Sequence, residues 1–187
     1  MPAIETRPLA PATWADFEEL FGARGACGGC WCMWWRKPRA EYERDKGSAN
    51  RASMLALVNS GIVPGLIGYI DGKPAGWCSV SPRGQFVRLN NSRTLKSPDD
   101  QPVYSVVCLF VKRTHRRQGL SSALLTAACE LVRSQGGRLV EGYPVVPRKD
   151  TVPDMTAWTG FPRAFEQAGF VEVARPTDAR AIYRRVL

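Results

Sequence analysis

The sequence predicts an α/β domain, a mixed β-sheet flanked by helices, and four observations carry that expectation. Val103 to Val111 is a nine-residue run dominated by Val, Leu, Phe and Tyr, the length and β-branched content of a strand covered on both faces. From Gly119 the residues Leu120, Ala123, Leu124, Ala127, Ala128, Leu131 and Val132 recur at helical spacing. The expected helix Gly119 to Gln135 ends at Gly136-Gly137, and Arg138 to Val145 reads as the next strand, which makes a parallel pair. Upstream, Leu66 to Ile70 and Ala75 to Val80 are joined by Asp71-Gly72-Lys73, the signal of an antiparallel hairpin.

The 187 residues suit one domain. It divides into residues 1–64, with helices and a Cys/Trp-rich segment, and residues 65–187, the sheet core. A hydrophobic fraction of 44% with 23% charged residues excludes disorder and coiled coil. No apolar run approaches the ~18 residues of a membrane span, and Met1 to Ala10 lacks the pattern of a signal peptide, so a cytoplasmic protein is expected. The net charge of +9 fits a polyanionic ligand. Nucleic acid would serve that charge equally well, but the basic residues are spread from Arg36 to Arg185 without aromatic interleaving, so it is the weaker reading.

The elements follow in order. Met1 to Pro8 reads as an edge strand limited by Pro2 and Pro8. Thr13 is the expected cap of a helix Trp14 to Phe21, closed by Gly22. GARGACGG is too glycine-rich for a regular element, and CWCMWWR then places Trp31, Met33, Trp34 and Trp35 within five residues. Either these side chains lid a pocket or they brace the loop against the sheet. Cys27, Cys30 and Cys32 have thiolate-metal spacing but lack a fourth ligand nearby, so no metal is assigned and all six cysteines are expected as thiols. Arg36 to Lys46 reads as a charged, exposed connection, and Ser48 as the cap of a helix Ala49 to Asn59. Ser81 to Gln101 is a long polar excursion whose Arg83, Arg88 and Arg93 read as solvated side chains or as contacts to an anionic ligand. At the C-terminal end come a loop Asp150 to Gly160, a helix Phe161 to Ala168, and two closing strands, Phe170 to Ala174 and Ala181 to Val186.

The chemistry begins at Lys112 to Gln118, KRTHRRQ, which carries four positive charges and no negative one between the central strand and its helix. Free amides at the start of that helix lie at the positive end of its dipole, so turn and helix together form an anion site of the kind that holds phosphate. Gly119 lets a phosphate approach the backbone, and Ser121 and Ser122 offer hydroxyl donors. No Gly-x-x-x-x-Gly-Lys-Ser/Thr or Gly-x-Gly-x-x-Gly pattern is present.

Arg116-Arg117-Gln118-Gly119-Leu120-Ser121 after an apolar strand resembles the Arg/Gln-x-x-Gly-x-Gly/Ala signature of the GCN5-related N-acetyltransferases (GNAT superfamily), with Ser121 where Gly or Ala is usual. Phe165-Glu166-Gln167-Ala168-Gly169-Phe170 resembles that superfamily's Tyr-Glu-Lys-x-Gly-Phe segment, and Asp71-Gly72 followed by Gly76-Trp77 resembles its Gly-x-Pro-Val-Gly turn. GWCSVSPR and VEGYPV are similar to a bacterial subgroup carrying a Cys-Trp-Cys-Met segment, which assigns no substrate.

The resemblance implies a V-shaped splay between two parallel strands and acetyl-CoA as co-substrate. Its pyrophosphate would rest on Arg116, Arg117, Gln118, Gly119, Leu120, Ser121 and Ser122, and its pantetheine arm would pair with the free backbone of Leu109, Phe110 and Val111. The reaction implied is acetyl transfer to a primary amine, expected on a small molecule, by direct transfer in a ternary complex; a homodimer is left open. Family members with a general base on the central strand carry Glu near the position of Ser105, and those with a tyrosine acid have it where Phe165 stands. Glu141 as base through water and Tyr143 as thiolate acid are the best replacements, each also readable as a paired or packed strand residue, with Tyr104 and Asp154 further back. The two missing groups also admit an acyl-CoA-binding module without turnover. Trp31, Trp34 and Trp35 hint at an apolar or cationic acceptor.

Overall fold

The computed structural model describes residues 3–147 and 157–187. Asp154 and most of the expected loop Asp150 to Gly160 lie outside these residues. Among the described residues, seven strands form one mixed sheet in the order β1-β2-β3-β4-β5-β7-β6. They are β1 (Ile4–Pro8), β2 (Gly65–Ile70), β3 (Lys73–Pro82), β4 (Tyr104–Val111), β5 (Leu139–Gly142), β6 (Val171–Thr177) and β7 (Arg180–Val186). Only β4 and β5 run parallel; every other neighbouring pair is antiparallel. Six α-helices accompany the described sheet: α1 (Trp14–Phe21), α2 (Arg39–Arg44), α3 (Ser48–Asn59), α4 (Val87–Asn90), α5 (Leu120–Ser134) and α6 (Pro162–Gln167). None is long and apolar enough to cross a membrane.

Alternation along the strands sends side chains to two cores. On one face, Leu66 and Ile70 of β2, Cys78 and Val80 of β3 and Val106 of β4 pack against Leu120, Leu124, Ala128 and Val132 of α5 and Phe165 of α6. On the other, Ile67, Tyr69 and Trp77 pack against Phe17, Leu20 and Phe21 of α1, Met54 and Val58 of α3, and Trp31 and Met33. A third cluster, Phe86, Leu89, Leu95, Val107, Tyr143 and Ile182, closes the polar excursion over β4 and β5. At the centre, α5 packs against the glycine backbone of the sheet. Gly68 and Gly76 face each other across β2 and β3, and a Cβ built on either would come 2.8 Å from a Leu120 methyl.

Several expectations change. Arg36 to Lys46 is not an exposed connection: Arg36 and Lys37 are buried, and residues 39–44 are helical. Thr13 and Ser48 do not cap their helices with their side chains; Ser48 is the first residue of α3, after Gly47. The excursion after β3 is organised by a 3-10 turn, Arg83–Gln85, and by α4. The strand expected over Arg138 to Val145 is only Leu139–Gly142, because Pro144 carries the chain out and Val145 keeps a single bridge to Arg180.

Candidate active site

The turn after β4 is built by backbone geometry. Lys112 donates its amide to Ala75 O at 2.9 Å, the last tie to β3. A 3-10 turn over Arg113–His115 follows, then Arg117 at φ +62° and Gly119 at φ +82°, both left-handed. Gly119 is the residue before α5, and no side chain caps that helix. The first α-helical bond runs from Ala123 N–H to Gly119 O at 3.1 Å, so the amides just before Ala123 have no helical acceptor. Arg116, Arg117, Gln118 and Gly119 are exposed around them. An uncapped helix start ringed by guanidinium groups holds phosphate-type anions through oriented N–H groups and charge together.

The expected roles of individual residues in this turn need adjustment. A Cβ on Gly119 would meet nothing within 4 Å, so within this chain glycine answers to the left-handed φ. Ser122 Oγ donates to Gly119 O at 2.9 Å, which leaves Ser121 as the hydroxyl free of that inward bond. Leu120 is buried in the core and can offer a ligand only its amide. His115 Nδ1 shares a hydrogen bond with Thr114 Oγ1 at 2.9 Å.

Beside the turn the parallel strands separate. β4 and β5 are paired over just three positions, Tyr104 with Val140, Ser105 with Glu141 and Val106 with Gly142. The register of β4 against β3 skips Val107, since Val80 faces Val106 and Ser79 faces Cys108. That extra residue is a bulge, which bends β4 and turns Val107 and Cys108 toward the same layer.

Leu109, Phe110 and Val111 lie in the separated half of β4, as the resemblance implies, but the backbone there is not all free. Leu109 N–H donates to Trp158 O at 2.7 Å, and Trp35 Nε1–H donates to Val107 O at 3.1 Å. Gly160 packs where its Cβ would be 2.8 Å from Leu109 Cδ1, and its carbonyl accepts from Val145 N–H at 2.9 Å. Residues 158–160 therefore stand between the diverging strands, on the amide expected to meet the cofactor. Phe110 and Val111 are partly exposed, and Val111 O accepts from Arg116 Nε at 3.4 Å.

Glu141 and Tyr143 come together, but away from solvent. Both are fully buried. Tyr143 Oη donates to Glu141 Oε1 at 2.5 Å, lies 2.8 Å from Ser105 Oγ, and accepts from Arg83 Nη1 at 2.6 Å. Glu141 Oε1 also accepts from Arg83 at 3.0 Å and Oε2 from Arg184 Nε at 2.8 Å. Arg184 in turn holds Asp99 at 2.7 Å, and Arg83 donates to the carbonyls of Leu89 and Leu95. Burial first, then the Glu141 charge, pushes the Tyr143 phenol well above its ordinary range. Ser105, near whose position the resemblance implies a glutamate base, serves this network. A cleft of about 890 Å³ borders Arg83, Asp99, Tyr104 and Arg138. It lies at the N-terminal ends of β4 and β5, the end opposite the anion turn.

Sequence reasoning missed Arg83 as a buried partner, together with Arg184, Asp99 and Trp158. Alternation along β7 was the available signal for Arg184, since Ile182 and Arg184 share a face and Ile182 is core. Of the two readings of the aromatic segment, bracing is the one seen for its buried members. Trp31 and Met33 brace the loop among Phe17, Phe21 and Trp77, whereas Trp34 and Trp35 are half-buried and meet Trp158 at ring distances of 6.2 and 5.7 Å. Arg88 stacks 3.6 Å above Trp34, so that ring face is already taken by a cation. No group of three or more His, Cys, Asp or Glu among the described residues could hold a metal ion.

A mixed sheet whose two parallel strands part after three paired positions, next to a bulge between β3 and β4 and a basic helix start, is the arrangement of an α/β domain with a phosphate-type anion site. The pattern of the Acetyltransferase (GNAT) family matches residues 29–146, and the chain belongs to that family. No curated protein matches it by sequence. Among solved structures, a GNAT-family protein from Desulfovibrio desulfuricans is 20% identical, with TM-score 0.54 over 98% of this chain and 99% of that one. A PaiA N-acetyltransferase from Thermoplasma acidophilum, in complex with coenzyme A, is 13% identical at TM-score 0.53 over 99% of both chains. An aminoglycoside N-acetyltransferase in complex with CoA is 18% identical at TM-score 0.53 over 94% and 92%. At these identities the likeness is one of fold.

Proposed function

We propose that the protein is an N-acetyltransferase that moves the acetyl group of acetyl-CoA to a primary amine of a small molecule, by direct transfer in a ternary complex. The observation that carries this reading is the separation of β4 from β5 at Val107, beside the uncapped N-terminus of α5. Membership of an acetyltransferase family makes acetyl-CoA the co-substrate. Its pyrophosphate would rest on the amides from Gly119 to Ser122 with Arg116, Arg117 and Gln118 around them. Its thioester would reach the Leu109 amide, an N–H aimed into the opening and suited to polarising a carbonyl. For that contact Trp158 O must yield its hydrogen bond, an exchange of one acceptor for another.

Glu141 and Tyr143 take a positioning role in this proposal. Both oxygens of Glu141 are already held, by Arg83 and Arg184, and neither Glu141 nor Tyr143 reaches solvent. Together they clamp the excursion after β3 onto β4 and β5, which fixes where the strands part. The acceptor would enter from the side of Trp34, Trp35 and Trp158, half-buried rings that offer apolar walls.

Isothermal calorimetry with acetyl-CoA, followed by thiol release over a panel of small amines, tests the proposal. Binding with turnover on at least one amine is expected. Absence of CoA binding would sink it, and binding without turnover across the panel would make the protein an acyl-CoA-binding module.

A further inference from the structure

The arginines of the excursion after β3 meet three different fates. Arg83 is spent inside, on Glu141 and on backbone carbonyls, and Arg93 is exposed. Arg88 is half-buried, and among the described residues its guanidinium has no hydrogen bond and no ion pair. Its position follows from α4. Phe86 and Leu89 are buried in the third core cluster, which pins this short helix, and the Arg88 amide donates to Trp35 O at 3.1 Å. The side chain is thereby laid over Trp34, with Cζ 3.6 Å from the ring centroid and 5.9 Å from that of Tyr42. A guanidinium that close lies flat on the indole, so its N–H groups point outward from its rim. One of them, Nη1, is buried with no partner. A charged donor that has given up water for nothing is costly.

The surroundings supply no paired counter-charge. Glu43, the acid whose charge acts on Arg88, is itself ion-paired to Lys46. Burial first, and then the charge of Arg39, work against the Arg88 cation. An anion at the rim would relieve the orphan donor, the lost hydration and the repulsion together. The same indole adjoins the side from which the acceptor would enter. Trp34 meets Trp158 edge-on at 6.2 Å and Trp35 meets it at 5.7 Å, while Trp158 O holds the Leu109 amide and the Trp35 indole holds Val107 O. Aromatic rings therefore run without a break from Arg88 to the opening of β4. A molecule lying along them would place its amine at the opening, its body on the rings and an anionic group on Arg88. A guanidinium held flat by a ring presents an in-plane fork of N–H groups, which matches a planar carboxylate through two parallel hydrogen bonds.

We propose that Arg88 anchors a carboxylate of the acceptor, so that the amines this protein acts on carry a carboxyl group and belong to the amino-acid class. The amine half of this statement rests on the acetyl-transfer reading; the carboxylate half rests on the geometry of Arg88. The sense of the aromatic segment is reversed by it. Trp34 holds the protein's own cation, and the acceptor brings the anion.

The test compares a panel of α- and ω-amino acids, phenylalanine and 6-aminohexanoate among them, with the corresponding amides, which keep the shape and remove the charge. Calorimetry on the full-length protein, with and without CoA, reads binding; thiol release from acetyl-CoA reads kcat/KM. At least one acid should bind ~10-fold or more tightly than its amide, the usual size of a charge-assisted hydrogen bond. Arg88→Gln should bring that ratio to about 1, and Arg88→Lys, which keeps the charge but loses the fork, should keep only part of it. Arg93→Gln, which removes an exposed charge from the same excursion, should leave the ratio as it is. If the Arg88 variants fail to fold, the wild-type ratio decides alone. Equal binding of acids and amides, no acid in the panel bound, or a preference that survives Arg88→Gln would overturn the proposal, even where other amines are acetylated. A preference for the acid without thiol release would instead leave the carboxylate anchor standing and remove the acetyl-transfer reading.

Discussion

The two ends of β4 use arginine in opposite ways. At its C-terminal end, Arg116 and Arg117 stand exposed around an uncapped helix start. At its N-terminal end, Arg83 and Arg184 are drawn inside and spent on Glu141, Asp99 and backbone carbonyls. The first set stands at the surface, where an outside anion can approach it. The second is unavailable, however basic the sequence is around it. A positive net charge therefore says little about where an anion binds until the internal partners are known.

Breaking the inner end should have the larger effect. Glu141→Ala leaves Arg83 and Arg184 buried without their shared carboxylate, a change that typically costs about 3–5 kcal/mol. At roughly 2–4 °C per kcal/mol for a domain of this size, the melting temperature should fall by about 10 °C. A melt shifted by only a degree or two would show that the network is not structural and would return Glu141 to consideration as a base. Gly119→Val probes the outer end. A β-branched residue in a left-handed position adds about 1–2 kcal/mol of strain, and acetyl-CoA affinity measured by calorimetry should drop at least ~10-fold as the turn distorts, with the fold retained. Unchanged affinity would place the cofactor elsewhere.

Smaller effects sharpen the contrast. Arg117→Ala removes one exposed charge, worth up to about 1 kcal/mol, so acetyl-CoA binding should weaken by ~5-fold or less and lose part of its salt dependence. The same salt series should leave the melting temperature nearly unmoved, since the inner arginines are shielded from ions. Smallest is an acid effect at the inner network. Arg184 first, then the Gln101 amide, holds Asp99 at about 2, below its ordinary 3.8. Because the folded value is the lower one, this contribution to stability is complete above about pH 4 and fades as pH falls toward 2. Asp99→Asn should flatten that acid limb in a stability-versus-pH series.

Local pattern made the outer end legible. Apolar run, basic turn, glycine and helical repeat are consecutive in the chain, and β4, the turn and α5 fell within a residue or two of expectation. The hairpin of β2 and β3 was read from Asp71-Gly72 for the same reason. The inner end was opaque because its partners are remote in sequence: Arg83, Glu141 and Arg184 come from three elements, and nothing near Arg83 reveals the carboxylate it meets. Burial of Arg36 and Lys37 escaped notice similarly, since charged residues beside Pro38 and a helix start look like surface. The bulge at Val107 leaves no local mark either; it is a mismatch between β3 and β4 that exists only once they pair.

Gly68 and Gly76 set the height at which α5 starts above the sheet. With no methyl on either, Leu120 settles against the backbone of β2 and β3, and the first turn of α5 is drawn down with it. A single alanine at Gly76 would press on the Leu120 side chain and on Phe110 O at 3.1 Å, and would tilt the helix start off its seat. Under the proposed placement of the cofactor, its tolerance is thus set by two hydrogen atoms on the floor of the sheet.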